Sequence, residues 1–242
     1  MPFDARTLIV ALLIAAAAGL VRGVTGFGGG MVMSAPLALL LGPRLMVPVV
    51  LVLESLVAAP LLWHTRALVN WRMMGVILVA ACVCVPLGTL MLVSLEPQLM
   101  RRAVALTVIV FALMLLIGWR YSGRPRLATS VGFGALSGAM LGATSVGGPP
   151  IVLYLLSGPD PVATTRANLT LFVTVTTLAG LAALWHHDAL DRSALSTSLW
   201  LALPYFLGLL AGTHVFPQLS DARFRQLTLV LLIAVSTGIL LA

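Results

Sequence analysis

Residues 7–41 form an apolar run of 35 residues that carries a single charge, Arg22. As one helix the run would be about 52 Å long at 1.5 Å per residue, against a bilayer hydrocarbon core of about 30 Å. It is too long for one crossing and must break. Gly26, Gly28, Gly29 and Gly30 follow Thr25, and glycine weakens a helix, so the break is expected at 25–30. The passage recurs. A shift of 119 positions lays Gly19 on Gly138, Gly23 on Gly142, Gly28 on Gly147 and Gly29 on Gly148, and a second break is expected at 144–150, where Pro149 and Pro150 add to the interruption.

The match extends past the glycines. Gly42-Pro43 answers Gly158-Pro159, Trp63-His64 answers Trp185-His186, Gly88-Thr89 answers Gly212-Thr213, and Arg101 answers Arg225. The chain therefore reads as two homologous halves, 1–119 and 127–242, joined by a basic linker at 120–126. A duplication of this size in an apolar chain suggests a transporter half rather than a solenoid repeat.

Sixty per cent of residues are hydrophobic, 9% are charged, and mean hydropathy is +1.11. Soluble domains carry charges on about a quarter of their residues, so the chain is expected in a bilayer. Apolar stretches of spanning length fall at 7–21, 45–63, 73–93, 103–119, 167–185, 194–215 and 227–242. The short alternating strands of a barrel are absent from the pattern, which leaves helices to satisfy the backbone in lipid. The fold class is all-α and polytopic, each half holding a broken, hairpin-like first pair followed by three transmembrane helices. The first segment is read as a retained helix, since no small-residue cleavage site follows it.

A hairpin gives each half an odd number of passes and makes the repeats inverted; a single broken pass makes them parallel. Arginine placement favours inversion. In the hairpin arrangement Arg66, Arg72, Arg120, Arg124, Arg126, Arg166, Arg223 and Arg225 share one side, read as cytoplasmic, while Arg6, Arg44, Arg101, Arg102 and Arg192 share the other. The net charge of +7 is all arginine in origin. It is read as orientation signal and headgroup contact rather than nucleic-acid binding. Cys82 and Cys84 are two apart on one helix and read as small buried hydrophobes. Trp63 and Trp185 read as interfacial anchors beside His64, His186 and His187.

A helix break in lipid must line a cavity or be buried in protein, and a helix restart offers unpaired amides suited to an anion. Gly28, Gly29 and Gly30, with Gly147 and Gly148, are the expected backbone of such a site. Gly19, Gly23, Gly138 and Gly142, spaced by four, are read as helix packing. Thr25, Thr144 and Ser145 supply hydroxyls at the breaks, with Ser34, Asn168 and Thr170 as polar groups along a pathway. Arg22 is the fixed positive charge for an oxyanion, with an interfacial arginine as its alternative. Glu54 is the only acidic residue within an apolar segment. It is expected to carry a coupled proton or to sit in an ion pair, with Arg22 or Arg44 as partner.

Residues 18–42 (AGLVRGVTGFGGGMVMSAPLALLLG) and 137–158 (SGAMLGATSVGGPPIVLYLLSG), with their order and repetition, resemble the TauE/SafE family of sulfite exporters. The resemblance implies a secondary transporter of sulfite, organosulfonates or related small oxyanions in a bacterial inner membrane. It implies a small anionic substrate and the bilayer as partners, with no nucleic acid, and leaves a homodimer open. No cofactor, metal site or Walker pattern is expected, and the chain is not read as an enzyme. A passive anion channel is the nearest alternative. A membrane-embedded enzyme is a more distant one, because nothing places a base beside Ser137 or Ser145.

Overall fold

A computed structural model describes residues 4–119, 121, 126–156, 158, 160–215, 233, 236 and 237. The described residues are helical, without strands. The helices are α1 (Ala5–Thr25), α2 (Gly29–Leu41), α3 (Pro43–Thr65), α4 (Trp71–Ser94), α5 (Pro97–Leu116), α6 (Leu127–Thr144), α7 (Gly148–Leu155), α8 (Val162–His186) and α9 (Arg192–Val215), with a 3-10 turn at Arg66–Leu68. Linker residues 120 and 122–125, the matched Arg225, and nearly all of the apolar stretch 227–242 lie outside the described residues.

Seven of these helices are long and apolar enough to cross a membrane. Six coincide with apolar stretches of the sequence. The seventh, Leu127–Thr144, has the lowest hydropathy of the set, 1.3, because glycines, serines and threonines dilute its apolar residues. The chain is a multi-pass membrane protein. Its lipid-facing side chains include Val79, Val83, Leu199 and Leu203, all more than two-thirds exposed; in a bilayer that exposure carries no hydrophobic penalty, because the solvent there is hydrocarbon.

α2 and α7 are different. At 13 and 8 residues they reach only about 20 and 12 Å, too short to cross. α2 packs on both α1 and α3, and α7 on α6 and α8. Each long-short pair therefore folds back at its break. Only Gly42 separates α2 from α3, and its φ of 81° is a turn conformation that side chains resist.

Two seams hold the helices at unusually close range. A Cβ at Gly19 would fall on the carbonyl oxygen of Tyr205, and one at Gly23 on that of Leu209. On the other seam, a Cβ at Gly138 would fall on the carbonyl oxygen of Ala81, and one at Gly142 on that of Val85. The four-spaced glycines thus pack helices, as their spacing predicts. Contacts advance in step along both chains, so α1 runs parallel to α9 and α4 parallel to α6.

α8 and α3 are the most buried spans and lie against each other at the centre. They run antiparallel. Arg44 and Leu45, at the start of α3, line a cavity of about 340 Å³ with His187 and Asp188 just after α8. Beyond the far end of α3, the Asn70 amide donates to Asn168 Oδ1 near the start of α8 at 2.9 Å. The same small cavity brings Leu92 and Val93 at the end of α4 beside Asp191 and Ser193 at the start of α9. A larger one, about 580 Å³, joins the starts of α4 and α6 at Asn70, Arg72, Arg126 and Ser130. Arg72 and Arg126 thus share one face, and Arg44 and the start of α9 lie on the other.

Candidate functional site

Both breaks are built on the same local frame. α1 ends at Thr25, whose hydroxyl donates to Val21 O at 2.8 Å and accepts the Phe27 amide at 3.3 Å. α6 ends at Thr144, whose hydroxyl donates to Met140 O at 2.8 Å and accepts the Val146 amide at 3.3 Å. The next residue closes each helix from the left-handed region: Gly26 with φ 78° and Ser145 with φ 60°. Their amides donate to Arg22 O and Leu141 O, each at 2.8 Å. The two threonines, expected as donors to a substrate, spend their hydroxyls on the chain turning away from the helix.

The frames then diverge. Gly28 is left-handed, φ 88°, with open space over it. Its counterpart Gly147 has an ordinary φ of −98°; it is glycine because a Cβ there would lie 2.6 Å from both Ser137 O and Leu141 Cβ. Gly148 faces open space. Thr25, Gly26, Phe27 and Gly28 are half-buried, whereas 141–147 are buried throughout.

Beside the first break lies a buried polar cluster drawn from three helices. Arg22 of α1 forms an ion pair with Glu54 of α3. Tyr205 of α9 donates its hydroxyl to Glu54 Oε1 at 2.9 Å. Arg22 and Glu54 are 4% exposed and Tyr205 is fully buried, so each charge depends on the other for compensation. Gly29 is the floor of the cluster: a Cβ there would meet Tyr205 Oη at 2.6 Å and Glu54 Oε1 at 2.7 Å. Of the partners expected for Glu54, the structure selects Arg22. Arg44 is elsewhere, donating to Val93 O at 2.8 Å and Leu95 O at 3.3 Å at the end of α4.

The two breaks touch. The hydroxyls of Ser34 and Ser145 meet at 2.8 Å, and a Cβ on Gly30 would lie 3.4 Å from Ser145 O and 3.7 Å from Glu54 Cγ. Gly29, Gly30, Ser34, Ser145, Arg22 and Glu54 are therefore one neighbourhood. Asn168 and Thr170, on α8, make no hydrogen bond to it among the described residues. Thr170 bonds back to Arg166 O at 2.9 Å, while Asn168 is fully buried and its Nδ2 has no partner among the described residues.

Two residues escape sequence reasoning. Tyr205 lies in an unremarkable apolar segment, and its partner is 151 positions away. Arg166 carries a guanidinium whose Nε is 3.9 Å from where a Cβ on Gly26 would be. Nothing in its own segment marks it out.

Neither a curated protein nor a solved structure matches the chain. The family model described as sulfite exporter TauE/SafE matches residues 11–239. A match over nearly the whole length of a multi-pass helical chain places this protein in the TauE/SafE sulfite exporter family, a family of membrane transporters.

Proposed function

We propose that this chain is a secondary transporter that exports sulfite, an organosulfonate or a related small sulfur oxyanion across a bacterial inner membrane, by alternating exposure of a site where its two helix breaks meet. The observation that carries the reading is the contact of Ser34 and Gly30 with Ser145, beside the buried Arg22–Glu54 pair. Interrupted helices from two halves meeting away from the lipid are the sort of place where backbone dipoles and polar side chains hold an ion.

In this reading 1–119 and 127–242 are inverted repeats. The antiparallel course of α3 and α8, counterparts through Trp63 and Trp185, supports it, as does the opposed course of α4 and α9. The first break is half-exposed and the second sealed, which favours a carrier caught open on one side over a continuous pore. Arg22 and Glu54 then act as a switch. While Glu54 is ionised, it holds the Arg22 charge; a proton on Glu54 frees the guanidinium for an oxyanion, so proton and anion bind together.

Sulfite flux in proteoliposomes tests this. The wild type should show saturable transport that responds to a pH difference, and Glu54→Gln should lose the pH response. Retained proton dependence in Glu54→Gln would remove the switch, and currents at channel rates would replace the carrier with a pore.

A further inference from the structure

We infer that Arg166, on the first turns of α8, is the guanidinium that meets the anion at the first break; the inference rests on the transport reading above. An anion entering a low-dielectric site needs a positive charge not already compensated. Arg22 does not offer one in this state, since Glu54 pairs with it inside the protein. Arg166 does. Its side chain is exposed and makes no ion pair or hydrogen bond among the described residues; the Thr170 hydroxyl donates to its backbone carbonyl, not to the guanidinium.

Its position is specific. Nε and Cδ of Arg166 lie 3.9 and 4.0 Å from where a Cβ on Gly26 would stand, and Gly28, two residues on, has nothing over it within 4 Å. The stretch from Thr25 to Gly28 is half-buried and Arg166 is exposed, so neither the backbone of the break nor the side chain beside Gly26 is sealed from outside. A planar donor fork beside open backbone suits two oxygens of a sulfite or sulfonate group at once.

The counterpart shows what Arg166 lacks. Arg44, at the start of α3 as Arg166 is near the start of α8, donates to Val93 O and Leu95 O and so is committed to the end of α4. The break near it is sealed. Among the described residues, one break thus has both a half-buried backbone and an uncommitted cation beside it, and the other is buried with its nearby arginine committed.

The test is sulfite binding to the purified full chain, read as the concentration dependence of its thermal stabilisation, with methanesulfonate as a second probe. Arg166→Ala should weaken sulfite binding about tenfold to a hundredfold, the range for a lost hydrogen bond to a charged group. Arg166→Lys should fall between the two, keeping charge without the fork. Arg72→Ala, an exposed arginine on the same face, should bind as the wild type does. Equal sulfite affinity in Arg166→Ala and wild type would overturn the inference alone. Equal weakening in Arg72→Ala would also overturn it, since a general loss of positive field would then be the cause. A wild type stabilised by neither probe would overturn the sulfur-oxyanion reading itself.

Discussion

The two breaks share a backbone frame and differ in nearly everything placed on it. Thr25 and Thr144 close their helices with the same pair of hydrogen bonds at the same distances. Around the first stand Arg22, Glu54 and Tyr205. The repeat offsets of 119, 122 and 124 put Leu141, Thr176 and Ala81 at the matching places. The seams confirm that register, because Gly19 meets Tyr205 O and Gly138 meets Ala81 O. The two matching passages break their helices in the same way, and an ion pair stands at only one of them. In the proposed carrier, both halves would move while one ion pair switches.

The largest effect should come from making the first break like the second. Arg22→Leu alone leaves the Glu54 carboxylate buried without its partner, which costs about 3–5 kcal/mol when one member of a buried pair is removed. Adding Glu54→Thr, the residue found at the matching position of α8, should recover most of that loss while sulfite transport stays absent. Thermal unfolding in detergent and flux in proteoliposomes check the two halves of the expectation. A double variant no more stable than Arg22→Leu would mean that the pair is not what couples these helices, since coupled residues should depart strongly from additivity.

Much of this contrast was legible before any coordinates. The 35-residue apolar run had to break, the four-spaced glycines read as packing, and Glu54 had an ion pair with Arg22 as one of its two expected roles. What stayed hidden has a common cause. Tyr205 and Arg166 act across 151 and 140 positions, on Glu54 and Gly26 respectively, and neither stands out in its own segment. Local pattern also hid the local bonding of Thr25 and Thr144, whose hydroxyls donate to the carbonyl four residues back and accept the amide two residues on. Gly147 shows the same limit: its neighbours in sequence suggest freedom to bend, whereas Ser137 and Leu141, a full helix turn or more away, leave no room for a side chain.

The glycines at the two restarts offer a smaller and cleaner contrast. Gly28→Ala puts a Cβ on a residue with φ 88° and open space around it, so the cost is backbone strain alone, about 1–2 kcal/mol. Gly148→Ala also enters open space, but its φ is not in the left-handed region, and its effect should stay within about 0.5 kcal/mol. Comparing the two unfolding midpoints isolates conformation from packing. Equal losses would show that something occupies the space beside Gly148.

Ser145 should give the smallest net change, because two effects oppose each other there. It holds φ 60°, a conformation its counterpart meets with Gly26, and its hydroxyl meets Ser34 across the contact between the breaks. Ser145→Gly relieves the backbone by about 1 kcal/mol and loses a hydrogen bond of about the same size, so stability should hardly move. Ser145→Ala keeps the strain and loses the bond, and should be about 1 kcal/mol less stable than the wild type. If the serine matters only as a helix stop, Ser145→Gly will transport sulfite normally. If the contact between the breaks helps assemble the site, Ser145→Gly will bind sulfite more weakly at unchanged stability, and Ser34→Ala will reproduce that weakening from the other side.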